Sequence, residues 1–204
     1  MAAPAQRLDL DGHTVSYYVS GPDAGRPIVF LQGKRVPSRA VHGITAPRLV
    51  DAGLRVYHVD IPGCGETPAA EVDREHWLAS LLDALGVTRP ILVSVGMTGP
   101  FSLPLVTSQA ERIAAFVAIA IEGIPDYAES LGQITVPVLV MWSDWGEEIR
   151  GLTVERSHFE LLVQKAPNAR LTSLPGNRSG MKRDEMEALI DSVVQFIDGL
   201  AQTE

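Results

Sequence analysis

The chain of 204 residues contains a single cysteine, Cys64. One thiol excludes an intramolecular disulfide and a thiolate-held metal cluster. Positive charge is also in short supply, with 17 Lys and Arg against 25 Asp and Glu, a formal net charge of -8. That balance lacks the electrostatic footprint of a nucleic-acid binder and disfavours docking on an anionic membrane. No apolar run is long enough to span a bilayer. The opening MAAPAQRLDL has no basic stretch leading into a long apolar one, so no secretory leader is expected and a cytoplasmic location is the default. Histidine is scarce and unevenly spread: there are five, and none follows His158. Repeats, linkers and low-complexity tracts are missing. What is present, 46% hydrophobic and 21% charged residues, suffices for one sizeable core, so residues 1–204 are expected to form a single domain.

The patterning changes once along the chain. RLDLDGHTVSYYVSG alternates apolar and polar residues about Asp11-Gly12, a hairpin signal with Leu8 and Leu10 before the turn and Val15, Tyr17 and Val19 after it. Then come continuous apolar runs: PIVFLQG, LRVYHVD, PILVSV, IAAFVAIAI and PVLVMWSD, with a weaker ARLTSLPG. Runs of this kind suit strands buried on both faces, as in a parallel sheet covered by helices. Helical stretches separate them. AEVDREHWLASLLDALG sets Trp77, Leu78, Leu81, Leu82 and Leu85 on one stripe and stops at Gly86. TVERSHFELLVQKA offers Thr153 as an N-cap, and RDEMEALIDSVVQFIDGL carries apolar residues at helical spacing. The expected fold class is α/β: a mainly parallel twisted sheet, an N-terminal antiparallel hairpin, and helices on both faces. Ligands on such sheets bind beyond the carboxyl ends of the strands.

The loops at those strand ends read FLQG, HVDIPGCGETP, SVGMTG, VMWSDWGEE and LPGNRSG, in that order. Together they resemble the α/β-hydrolase fold, over nearly the whole chain. The stretch SVGMTGPFSLPLV is similar to the nucleophile elbow of small, lidless members. Too few residues separate Ile121 from Val136 for the helical cap of many relatives. The resemblance implies a Ser-His-Asp triad at known places, and those places are empty of it. Gly96 takes the nucleophile position, with Ser94 and Thr98 at the flanking small positions, and Gly146 takes that of the acid. Ser179, or Arg178 one residue earlier, stands where the histidine belongs. Triad chemistry needs a base for the nucleophile and an acid to orient the base. Ordinary serine hydrolysis is therefore not expected.

Other nucleophiles are weak substitutes. Ser94 and Thr98 are expected to point away from the cleft, and Cys64 has no paired histidine. His42, on an expected helix, and His58, inside a strand, are read as structural. Polar groups remain at the strand ends. Gln32 replaces the usual histidine before Gly33 and is followed by Lys34 and Arg35. Glu122 ends the fourth parallel strand in sequence, Asp144, Trp145, Glu147 and Glu148 follow the next, and Asn177, Arg178 and Ser179 follow the last. Glu122 and Asp144 are the acid/base candidates, because burial and neighbouring cations can shift a strand-end carboxyl. Gln32, Lys34, Arg35, Gly96, Met97, Trp145, Asn177 and Ser179 are the candidate substrate contacts. Two functions stay open. One is a non-hydrolytic enzyme (a cyclase, isomerase or lyase) acting on a small carbonyl-bearing metabolite. The other is an inactive pseudohydrolase that binds a small ligand or a protein partner. No cofactor or metal is expected, and an oligomer is compatible with either.

Overall fold

A computed structural model describes residues 4–33, 38–142, 154–173 and 183–201. The chain opens with β1 (Gln6–Leu10) and β2 (His13–Ser20), paired antiparallel. Asp11 and Gly12 between them take φ of 53° and 81°. Left-handed backbone at both central residues suits the right-handed twist of the flanking strands. Six further strands follow: β3 (Arg26–Gln32), β4 (Leu54–Asp60), β5 (Ile91–Val95), β6 (Ala115–Ile119), β7 (Val138–Trp142) and β8 (Ala169–Ser173). The sheet order is β1-β2-β4-β3-β5-β6-β7-β8, and every pairing from β4 to β8 is parallel. The expected mixed sheet with its N-terminal hairpin is what forms.

The helices are α1 (Ser38–Asp51), α2 (Arg74–Leu85), α3 (Gly99–Ser108), α4 (Arg156–Lys165) and α5 (Arg183–Ala201). Two separate cores place them on opposite faces of the sheet. One joins Leu78 and Leu81 of α2, Phe101 and Leu105 of α3, and Phe159 of α4 to Leu92, Phe116 and Val138. The other joins Leu49 of α1 and Ile190, Val193 and Phe196 of α5 to Ile28, Phe30, Val93 and Val117. Central strands thus contribute alternate side chains to both cores, which is why their sequences are apolar without a break. Helix α2 has the clearest local signals: Asp73 caps its start by accepting from the Glu75 N–H at 3.0 Å, and Gly86 ends it with φ 65°.

Some sequence expectations are adjusted. Thr153 lies outside the described residues, and the N-cap of α4 is Glu155. Glu122 does not end β6, which stops at Ile119. Ala120 turns the chain away with φ 46°, and Glu122 belongs to the following turn. Between Ile121 and β7 the chain makes only the two short 3-10 turns Ile124–Tyr127 and Leu131–Gln133, so no cap is inserted there.

Candidate functional site

In this sheet β3 lies between β4 and β5, and the chain winds outward from it in both directions. The switch point of an open α/β sheet is where a crevice opens beyond the strand ends. Here it falls between Gln32-Gly33 after β3 and Gly96-Met97 after β5. Gln32 is buried, and its carbonyl accepts from the Ile61 N–H at 3.1 Å. The Met97 side chain packs across Gly33, with its sulfur 2.9 Å from where a Cβ on Gly33 would sit. A larger residue at position 33 would require the Met97 side chain to shift.

The turn after β5 is sharp. Gly96 has φ 58° and opens a single 3-10 turn, Gly96–Thr98, that runs straight into α3. A Cβ built on Gly96 meets no atom of the described residues within 4 Å. The turn is therefore shaped to present a side chain at its tip into open space, and the residue supplied has none. Beneath the tip lies a closed hydroxyl cluster. Ser94 Oγ sits 2.6 Å from Thr98 Oγ1 and 2.8 Å from Ser102 Oγ, and all three residues are fully buried. The Val95 N–H donates to Thr98 Oγ1 at 2.8 Å, and the Ser102 hydroxyl donates to the Gly99 carbonyl at 3.2 Å. With those protons assigned, Thr98 donates to Ser94 and Ser94 to Ser102, so each hydroxyl is spent on holding the turn. Glu122 is tied to the same turn through its backbone: its N–H donates to the Gly96 carbonyl at 2.9 Å. A Cβ on Gly99 would collide with the Glu122 carbonyl. Position 99 must be glycine for the β6 turn to lie against the elbow.

Comparisons with known proteins agree with the fold. Human "Putative protein-lysine deacylase ABHD14B" is 26% identical over 205 residues, covering 95% of this chain and 94% of that protein. Zebrafish "Protein ABHD14A" is 26% identical over 190 residues, covering 87% of this chain and 68% of its own length. Among solved structures, a predicted CIB-like hydrolase from Thermoplasma acidophilum superposes with a TM-score of 0.82 at 18% identity, over 97% of this chain and 98% of that one. Carboxylesterase CesB from Bacillus subtilis gives 0.77 at 16% identity, over 98% and 93%. No family model matches the chain. This is the α/β-hydrolase fold.

Gly96, expected from the sequence at the nucleophile position, lies at the tip of a sharp strand-to-helix turn with φ 58°, a conformation that costs a side-chain-bearing residue backbone strain. The acid position, Gly146, and the histidine positions, Arg178 and Ser179, lie outside the described residues. So do Lys34, Arg35, Asp144, Trp145, Glu147, Glu148 and Asn177. Of the candidate site residues, Gln32, Gly96, Met97 and Glu122 are described, and they gather around the switch point through the contacts given above. The absence of any histidine after His158 is a property of the sequence itself. His158 belongs to α4, before β8, whereas the family's histidine follows the last strand.

Two residues matter here that the sequence reading did not single out. Asp60, buried at the end of β4, accepts from the Ser38 N–H at 3.3 Å and the Glu66 N–H at 3.1 Å. It fixes the start of α1 to the loop after β4, and Gly65 lies so close that a Cβ there would strike its carboxylate. The spacing Asp-x-x-Gly-x-Gly was its signal. Trp142, the last residue of β7, is buried against Phe159 with its indole N–H unpaired among the described residues. Cys64 is buried in the larger core and His58 has no exposed surface. His42 is only 3% exposed and is hydrogen-bonded to His58. None of the three offers a side chain to a ligand at the surface.

Proposed function

We propose that the chain binds a small carbonyl- or acyl-bearing molecule in the crevice between β3 and β5 and acts on it without an acyl-enzyme intermediate. The observation that carries this is Gly96, in left-handed backbone at the tip of the turn after β5, with no atom of the described residues within 4 Å of where a side chain would begin. That space is available to a substrate atom. The positive end of α3, which begins just beyond the tip, favours an oxyanion or enolate there. Glu122 and Asp144 are the acid/base groups in this reading, and Gln32, Lys34, Arg35, Met97, Trp145, Asn177 and Ser179 position the ligand. The reaction class is a rearrangement or elimination at a carbonyl, as in a cyclase, isomerase or lyase.

A second reading has its own support. A relative bears the name "Putative protein-lysine deacylase ABHD14B", which favours hydrolysis of an acyl group by this chain also. With glycine at the tip, that hydrolysis would proceed by direct attack of a water lodged in the vacated space, again with no covalent intermediate. Both readings share one test. The protein is incubated with p-nitrophenyl acetate, acetyl-lysine peptides and a fluorophosphonate, and its intact mass is measured while turnover is followed. No covalent adduct is expected. Turnover of the acetyl-lysine peptides without an adduct selects the hydrolytic reading, and its loss by ~10²–10⁴-fold in Glu122→Gln or Asp144→Asn identifies the base. An acyl or phosphonyl adduct would overturn both readings.

A further inference from the structure

Away from the elbow, on the α1 face of the sheet, four side chains form one continuous hydrogen-bonded chain. Ser20 Oγ of β2 lies 2.8 Å from His42 Nε2, His42 Nδ1 lies 3.0 Å from His58 Nδ1, and His58 Nε2 lies 3.1 Å from Thr45 Oγ1. The Thr45 hydroxyl donates to the Val41 carbonyl at 2.9 Å. Its one proton is thereby used, so toward His58 it can only accept. His58 therefore carries its proton on Nε2 and presents a lone pair at Nδ1. His42 must then carry its proton on Nδ1 and accept the Ser20 hydroxyl at Nε2. One arrangement satisfies every atom, and in it both imidazoles are neutral.

This arrangement can accommodate one added proton but not two. A first can enter only at the Ser20 end, where the hydroxyl can turn from donor to acceptor. A second would set two Nδ1–H groups against each other across 3.0 Å. The surroundings offer no compensation. Phe30 of β3 stacks flat on His58 with ring centroids 4.3 Å apart, and Tyr18 of β2 lies 5.8 Å from His42. The charged groups on the neighbouring elements are engaged elsewhere. Glu66 accepts from Tyr18, Asp60 accepts from two backbone N–H groups, and Arg55 of β4 pairs with Asp23 at 2.5 Å. On α1, Arg39 acts on Tyr18, and Arg48 pairs with Asp191 of α5 at 2.6 Å. Arg48 and Asp191 line an outer groove with Asp51 and Glu187, while Arg26 sits at the far end of β3.

We propose that Ser20, His42, His58 and Thr45 form a pH-sensitive latch, which fastens α1 to β2 and β4 while the imidazole pair is neutral or shares one added proton, and which a second proton breaks. Helix α1 begins at Ser38, a few residues after the Gln32-Gly33 edge of the crevice. Releasing the latch loosens one wall of that crevice. Burial pushes His42 below its ordinary value, and burial followed by the neighbouring His42 pushes His58 well below. Folded values below the unfolded one mean that the latch is fully closed above about pH 6.5, the value of a free imidazole. Its stabilisation is lost as pH falls below that, because the unfolded chain then binds protons that the folded chain excludes.

The test is hydrogen exchange of the wild-type protein together with denaturant unfolding between pH 7.5 and 5. Amides of α1 should lose protection relative to those of α2 and α3 after correction for intrinsic rates. The folding constant should fall by up to about tenfold per pH unit for each excluded proton. In the double variant His42→Leu with His58→Leu, that slope should be reduced. Nitrogen-15 NMR of the wild type at pH 7.5 needs no variant, and should show His58 protonated at Nε2 and His42 at Nδ1. The opposite tautomers, unchanged α1 protection down to pH 5, or an undiminished slope in the double variant would each overturn the latch.

Discussion

The elbow after β5 and the buried pair behind α1 are opposites. At the elbow the backbone of a catalytic turn is intact, with Gly96 at φ 58° and a hydroxyl cluster bracing it, yet the tip carries no chemical group. Behind α1 the side chains of a general acid/base relay are present and connected, Ser20 to His42 to His58, yet they are sealed under Phe30 and Tyr18. A search for reactive residue types alone would choose the second region. A search for a site's shape would choose the first. Function requires both in one place, and among the described residues they are apart. The difference also shows what each region asks of its polar groups. The elbow's hydroxyls hold a strained turn, whereas the histidines help to hold a helix, with Pro47 inside, whose buried residues are half polar (Ser38, His42 and Thr45) and half apolar (Val41, Ala46 and Leu49).

The comparison can be broken most forcefully at Gly99. A Cβ there would collide with the Glu122 backbone, which cannot swing aside as a side chain can. Gly99→Ala should cost about 3 kcal/mol or more, within the range of severe overpacking, measured as the loss in urea unfolding free energy. A neutral result would show that the β6 turn is not pinned to the elbow. One step smaller, removing a single hydroxyl from each region tests whether both networks are structural. Ser94→Ala leaves the Thr98 hydroxyl without its acceptor, and Thr45→Val leaves the His58 Nε2–H unpaired in a fully buried site. Each should cost about 1–3 kcal/mol. A cost confined to Thr45→Val would mean that the elbow stands without its hydroxyls.

Much of this was legible before any coordinates. The unbroken runs of β3 to β7, the Asp11-Gly12 turn and the stripe of α2 are local signals, and each became the expected element. The sharp turn at Gly96 was legible because the small-x-small-x-small run from Ser94 to Thr98 follows an apolar strand, and the structure has that turn with Gly96 at φ 58°. Helix α1 was not legible as a packed element, apart from the suspicion that His42 lay on a helix. Its buried face mixes Val41, Ala46 and Leu49 with Ser38, His42 and Thr45, and that alternation blurs the apolar periodicity of a packed helix. The His42–His58 bond was hidden for a related reason: the two residues lie on different elements, and their pairing follows from how α1 crosses β4. Glu122 was misplaced by a short distance because IAAFVAIAI stays apolar past Ile119, where Ala120 already turns the chain.

A smaller effect sharpens the buried side of the comparison. Tyr18 donates to Glu66 at 2.6 Å, and burial first, then that hydrogen bond and the charge of Glu66, push its phenol up to about 12. The folded chain thus keeps a proton that the unfolded chain releases near its ordinary value of about 10. Stability should fall as pH rises from about 10 to about 12, the reverse of the histidine dependence at low pH. Glu66→Gln keeps the size and removes the charge, and should move the Tyr18 phenolate absorbance to lower pH. Phenolate formation that is unchanged in this variant would dissociate Tyr18 from Glu66.

The smallest expected effect on the fold belongs to Gly96→Ser, and it probes the elbow directly. The added Cβ meets nothing within 4 Å among the described residues, so none of them must move. The cost comes from placing an L-residue in left-handed backbone, about 1–2 kcal/mol, partly offset by the reduced freedom of the unfolded chain. The net loss should be about 1 kcal/mol, far below that of Gly99→Ala three residues away. Activity should not follow from the hydroxyl alone. Members of a triad act as a unit, and no histidine stands after His158 to take the serine's proton. Gly96→Ser should therefore leave p-nitrophenyl acetate hydrolysis at the level of the unaltered protein, while Gly96→Ser combined with Ser179→His should raise it measurably. Strong turnover in the single variant would reveal a base already aimed at the tip, and the elbow would then lack only its nucleophile.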